Sequence, residues 1–169
     1  MKQTDNFKFD EANVMNELVY RNLSEDAKRQ ICVWKYGGEY DLYNLPSYEE
    51  MQVRQIGFMN PQREKNYYGF WDESILVGFV NILEEKEEVF IGIGVNPDLC
   101  NKHYGQRMLL ITYEISKKLY PDKPLYLEVR TWNIRAVKCY QKAGFRIDGQ
   151  AYELTTGIGT GTFYRMIRE

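Results

Sequence analysis

Histidine is nearly missing from this sequence: His103 is the single one in 169 residues. A hydrolase built on a nucleophile–histidine–carboxylate triad must use that residue or none. Cysteine is scarce, and Cys32, Cys100 and Cys139 lie far apart with no C-x-x-C pair. That argues against any structural metal site and reads as reduced thiols. Charge of one sign is not in excess: 22 Lys and Arg stand against 24 Asp and Glu, a net charge of −2. Tight nucleic-acid binding, which needs a basic surplus, is not expected. The longest strongly apolar run, Ile75 to Val80, is far too short to span a bilayer. The polar stretch Met1 to Asp10 shows no signal peptide, so a cytoplasmic protein without membrane attachment is expected. Repeats and low-complexity tracts are absent as well.

The length and the 44% apolar content suit one domain over residues 1–169, with 1–14 as an N-terminal arm. Glu17 to Leu23 reads as a weak strand. Ser24 is a helix cap followed by Glu25 and Asp26, which suit the positive end of a helix running to about Trp34. Ser47 with Glu50 makes a capping box for a helix from Tyr48 to about Phe58. Tyr67 to Trp71, Ile75 to Leu83 and Val89 to Val95 predict an antiparallel meander, its second turn the acidic run Glu84 to Glu88. Met108, Ile111, Ile115 and Leu119 recur at helical steps over Gly105 to Leu119. Leu125 to Thr131 is a strand, Ile134 to Ala143 a helix stopped by Gly144, and Phe145 to Leu154 and Thr162 to Ile167 a closing strand pair. The sum is an α/β (α+β) fold of about seven strands with flanking helices.

Chemistry concentrates in two segments. In VFIGIGVNPDLCNKHYG, residues 89–105, Gly92 and Gly94 share one strand face and clear a groove there. Pro97 ends the strand, and a polar loop leads through Gly105 into a helix. A strand, a tight loop and a helix N-terminus present free backbone N–H groups to a phosphate, with Lys102 adding charge. An ordinary strand–loop–helix connection is the competing reading. The second segment, LEVRTWNIRAVKCYQKAGF, sets Asn133, Ala136 and Tyr140 on one helix face, where a tyrosine is commonly a core residue.

Together these segments resemble the GNAT (N-acetyltransferase) superfamily. Its first motif, hydrophobic-x-V-x-P followed by Q/R-x-x-G-x-G/A, is matched by Ile93, Val95 and Pro97 and then by the stretch Cys100 to Gly105. Its second, N-x-x-A-x-x-x-Y-x-x-x-G-F, is matched by Asn133, Ala136, Tyr140, Gly144 and Phe145. The resemblance implies the GNAT fold, a mixed, mostly antiparallel sheet with splayed central strands, and acetyl-CoA as cofactor. It also assigns roles. Loop amides of Cys100, Asn101, Lys102, His103, Tyr104, Gly105 and Gln106 would hold the pyrophosphate, main-chain groups of Ile93 and Val95 would pair with pantetheine, Asn133 would touch the cofactor arm, and Tyr140 would protonate the departing thiolate. Cys100 replaces the usual Gln or Arg, and His103 replaces the first glycine. A backbone site tolerates this where φ stays allowed, and histidine visits positive φ more readily than most residues.

Freeing a lysine-like amine at pH 7 costs about 4.6 kcal/mol, an α-amine only about 1 kcal/mol, so a base helps the first far more. Glu128 is the candidate base; the string is similar to that of ribosomal-protein alanine N-acetyltransferases, where the equivalent Glu has that role. Pairing of Glu128 with Arg130 or a neighbouring strand is the structural alternative. Phe90 stands where many relatives carry an acid. Trp34, Tyr36, Tyr40, Tyr43 and Tyr48, with Glu39 and Asp41, suit a cationic amine or, alternatively, a simple hydrophobic cap. The expectation is an acetyl-CoA-dependent N-acetyltransferase acting on a small-molecule primary amine, with no metal, and with a homodimer left open. A protein N-terminal acetyltransferase, a user of longer acyl donors and a CoA-binding regulatory module are the alternatives.

Overall fold

Two serines start the helices on one side of the protein. The computed structural model describes residues 18–169, so the expected arm at 1–14 lies outside the described residues. Ser24 accepts from the Ala27 amide to open α1 (Glu25–Cys32), and Ser47 accepts from Glu50 to open α2 (Tyr48–Arg54). The capping box is only half made, because the Glu50 carboxylate turns forward to Arg54 at 2.9 Å rather than back to Ser47. α2 stops at Arg54 rather than near Phe58, since Gln55 takes a left-handed φ of 50° and Gly57–Met59 coil into a 3-10 turn.

One sheet gathers β1 (Val19–Asn22), β2 (Tyr67–Asp72), β3 (Ile75–Glu84), β4 (Val89–Val95), β5 (Leu125–Arg130), β6 (Arg146–Ile147), β7 (Tyr152–Thr156) and β8 (Gly159–Arg168). Its order is β1-β2-β3-β4-β5-β8-β6, with β7 also paired to β8. Among the described strands, only β4 and β5 run parallel. The strand expected from Phe145 to Leu154 is broken into β6 and β7, with Gly149 at φ +77° between them, which makes the sheet 8-stranded among the described residues.

Alternate residues of each strand face opposite ways and build two cores. Phe70, Val77, Leu127 and Val129 pack with Met108 and Leu109 of α3 (Tyr104–Leu119) and Val137 of α4 (Ile134–Lys142). Trp71 and Leu76 pack on the other face with Ile31 and Met51 of α1 and α2. Each such aliphatic side chain stabilises the fold by about 1.5–3 kcal/mol.

The parallel pair is the feature that positions the site. β4 and β5 meet only at Val89–Leu125 and Phe90–Tyr126. From there β5 stays zipped to β8 along Leu125 to Arg130, while β4 stays with β3 to Val95. The strands therefore part just after Phe90, before the two glycines that the sequence sets beside a groove. Gly94 has a packing duty instead: a Cβ there would lie 2.4 Å from Cε1 of Phe79, so the missing side chain is filled by that ring.

Candidate active site

The parting leaves a strand edge open. Val89 donates to the Pro124 carbonyl at 2.9 Å, so its N–H points toward β5. Main-chain groups alternate along a strand, and Ile93 and Val95 therefore aim at the same edge, beyond the last β5 partner. Both were expected to meet pantetheine. The Val95 carbonyl is already engaged, accepting from the Tyr36 hydroxyl at 2.6 Å. What remains open there is the Ile93 amide and carbonyl and the Val95 amide. A cleft of about 890 Å³ runs through this gap, lined from both faces of the sheet.

On the α3–α4 face the cleft meets the start of α3. His103 takes φ 64° and makes no capping hydrogen bond. The first-turn amides of Tyr104, Gly105 and Gln106 have no intrahelical carbonyl to meet, and the helix dipole is positive there. Cys100, Asn101, His103, Tyr104, Gly105 and Gln106 all line the cleft, as expected. Lys102 does not: the loop is wound left-handed on both sides of it, at Asn101 and His103, and its side chain is exposed. The cationic charge comes from α4 instead. Arg135, Lys138 and Lys142 line the cleft at helical spacing. The sequence reasoning missed this stripe, although its three- and four-residue steps were readable. Asn133 lines the cleft too, but its side chain is busy, capping α4 at Ala136 and donating to the Tyr43 hydroxyl at 3.3 Å.

Tyr140 sits in the cleft wall on α4, packed against the first core. Burial, then the nearby Cys139, Tyr43 and Tyr36, hold its phenol well above the ordinary tyrosine value, so it keeps its proton at neutral pH. Glu128 lines the cleft from the opposite face of β5, since Leu127 and Val129 point into the core. Neither Arg130 nor Arg165 is its partner; Tyr152 of β7 donates to its carboxylate. Tyr152 escaped the sequence reading because only the β7–β8 hairpin brings it there.

The aromatic segment divides. Trp34, Tyr36 and Tyr43 line the cleft. Tyr40 does not: its ring stacks on Trp132 at 5.7 Å, with the Arg135 guanidinium 3.9 Å above it. Tyr48 is buried against α1 and donates to Glu25. Glu39 and Asp41 are exposed, which leaves Glu128 as the carboxylate in the lining among the described residues.

Residues 33–145 match the sequence profile of the acetyltransferase (GNAT) family, which spans well over half of the chain. The chain belongs to that family. No curated protein matches it significantly. A chimera of the Vibrio cholerae spermidine N-acetyltransferase SpeG and hSSAT superimposes with a TM-score of 0.71 at 20% identity, over 90% of this chain and 95% of that one. The Vibrio cholerae spermidine N-acetyltransferase in complex with CoA and spermine gives 0.71 at 18%, over 90% and 95%. AAC(6')-Ib in complex with ribostamycin and coenzyme A gives 0.66 at 16%, over 89% and 93%. At such identities these likenesses speak for the fold. As a GNAT member the chain is an N-acetyltransferase that uses acetyl-CoA. Its own residues fit that group: an uncapped helix N-terminus and three α4 cations suit phosphates, and an open strand edge suits the amides of pantetheine. No described helix is long and apolar enough to cross a membrane.

Proposed function

We propose that this GNAT protein acetylates a primary amine of a small molecule by direct attack in a ternary complex. The observation that carries the reading is the open β4 edge beyond Phe90, facing a cleft that Tyr140 lines from one side of the sheet and Glu128 from the other. When bound, acetyl-CoA supplies an acetyl group activated as a thioester. Amides of the Cys100–Gln106 loop with Arg135, Lys138 and Lys142 would hold its phosphates, and the Ile93 carbonyl and the Val95 amide would hold its arm. Glu128, through water, takes the proton of the acceptor ammonium. The Ile93 amide would meet the charge that develops on the carbonyl oxygen. Tyr140 would supply its phenolic proton to the departing thiolate. Burial pushes the Cys100 and Cys139 thiols up, so neither is poised as a thiolate nucleophile, which favours direct attack over a covalent acyl-enzyme.

A small acceptor is favoured over a polypeptide terminus by the roof of the cleft. Tyr36 is tied to Val95 and Tyr43 to Asn133, so the aromatic segment is bonded down over the site. The test is acetyl transfer to a panel of small primary amines, followed by thiol release, with wild type and Tyr140→Phe. The variant is expected to lose about 10²-fold in kcat with acetyl-CoA affinity close to wild type. An unchanged kcat removes Tyr140 from the chemistry.

A further inference from the structure

Among the described residues, Arg130 is a buried cation that has found no anion. It ends β5 with only 7% of its surface exposed, and it lines the cleft on the face that also carries Glu128. Its guanidinium reaches two main-chain carbonyls of the β7–β8 turn, Gly159 at 3.3 Å and Thr160 at 3.4 Å, both at the long end of hydrogen bonding. Its Nε has no hydrogen-bond partner among the described residues. The nearest carboxylate along the strand, Glu128, is occupied by Tyr152 and forms no ion pair with it.

The surroundings are built to hold this side chain where it is. A Cβ on Gly161 would fall 2.0 Å from one guanidinium nitrogen, so the facing strand omits a side chain at that point. The Phe163 ring lies 4.9 Å from the Arg130 Cζ and gives the planar group a platform. An uncompensated buried charge is costly, and arginine's fork matches a carboxylate in two parallel bonds. Glu128 and Arg130 are two residues apart on one strand face, about 6.6 Å along it. A negative and a positive group at that spacing, beside a proposed acetylation centre, complement a molecule that carries an ammonium and a carboxylate together.

We infer that the acceptor is an amino-acid-like amine whose carboxylate binds Arg130, rather than a polyamine. The inference rests on the acetyl-transfer reading and names its substrate class. A polyamine, cationic throughout, would meet Arg130 as a like charge.

The experiment compares matched acceptors on the intact wild-type protein: amino acids, their carboxamides, and spermidine. The readout is kcat/KM from thiol release with acetyl-CoA. The free acids are expected to exceed their carboxamides by about 10- to 100-fold, as for a charge-assisted hydrogen bond. A carboxamide's amine is less basic and more of it is free at neutral pH, so that bias works against the expected result. In Arg130→Gln, checked for a cooperative melt, the acid-to-amide ratio should fall toward one, and Arg130→Lys should recover part of it. Carboxamides or spermidine matching the acids in wild type overturn the inference, as does a ratio that persists in folded Arg130→Gln. Should Arg130→Gln fail to fold, the wild-type ratio alone decides. Acetyl transfer to spermidine or carboxamides with none to acids sinks only the substrate class; transfer to no amine at all sinks the acetyl-transfer reading, and the inference with it.

Discussion

Tyr152 has one contact that sets its importance, its donation to the Glu128 carboxylate from a strand that is otherwise peripheral. A carboxylate with one oxygen held this way has fewer rotamers to explore and keeps its other oxygen for water. Tyr152 is thus a positioning residue, and its loss should act through Glu128. In Tyr152→Phe, kcat is expected to fall roughly 3- to 10-fold with the KM for acetyl-CoA unchanged, and the double variant with Glu128→Gln should be no worse than Glu128→Gln alone. Additive losses in that cycle would show that Tyr152 acts elsewhere. Tyr140 carries a pH prediction of the same scale. Its pKa is raised, so the acid form persists through and beyond the ordinary tyrosine value near 10. The pH profile of kcat should therefore show no alkaline loss below about pH 9.5, and a falling limb beneath that would contradict its role as the acid. Tyr140 and Asn133 were legible as letters of a motif. Tyr152, Arg130 and the Tyr36–Val95 bond were not, because each acts through a partner that only the folded sheet brings near.

The element that matters most is the first turn of α3. Among the described residues no side-chain hydrogen bond caps it, and its first residues line the cleft. If main-chain groups rather than side chains grip the phosphates, the sensitive substitution is one that deletes an amide and spares the helix. Gln106→Pro does this, since proline is tolerated in a first turn, and the preceding Gly105 has no Cβ to clash with the ring. Isothermal titration should show acetyl-CoA binding weakened about 10-fold or more with little change in melting temperature. His103→Ala, in contrast, should stay within about 3-fold of wild type for binding; a large loss there with a mild effect of Gln106→Pro would transfer the grip to side chains. Elements written in local chemistry were readable in advance. Serine caps, apolar steps and the Gly144 stop gave α1, α3 and α4 nearly to the residue. The point where β4 leaves β5 was not legible, because Gly92 and Gly94 belong to β4 while the parting is decided by β5 holding to β8.

For the whole molecule, tyrosine is the commonest aromatic, 14 of them beside 8 Phe and 3 Trp. Several lie with their hydroxyls out of water. Burial is the leading cause that raises the phenols of Tyr36, Tyr67, Tyr68, Tyr126, Tyr140 and Tyr152, with Glu85 reinforcing Tyr126 and Glu128 reinforcing Tyr152. In the unfolded chain each would titrate near 10. Between that value and its folded one, a phenol binds more proton in the native state than in the unfolded state. Stability must then fall as pH rises, since the unfolded chain gains by releasing protons that the native state retains. The contribution is fully present below about pH 10 and is lost progressively above it. These tyrosines span both cores, the β4–β5 pair and the β7–β8 hairpin, so the loss should be global rather than a local opening. Thermal melts should hold a level midpoint from neutral pH to about 9.5 and decline steeply beyond 10. Phenolate absorbance should rise in two phases, exposed rings titrating first and the buried set appearing only with the loss of helical circular dichroism. A single titration step near pH 10 with a constant melting temperature would mean that water reaches these hydroxyls freely, Tyr36 over the cleft among them.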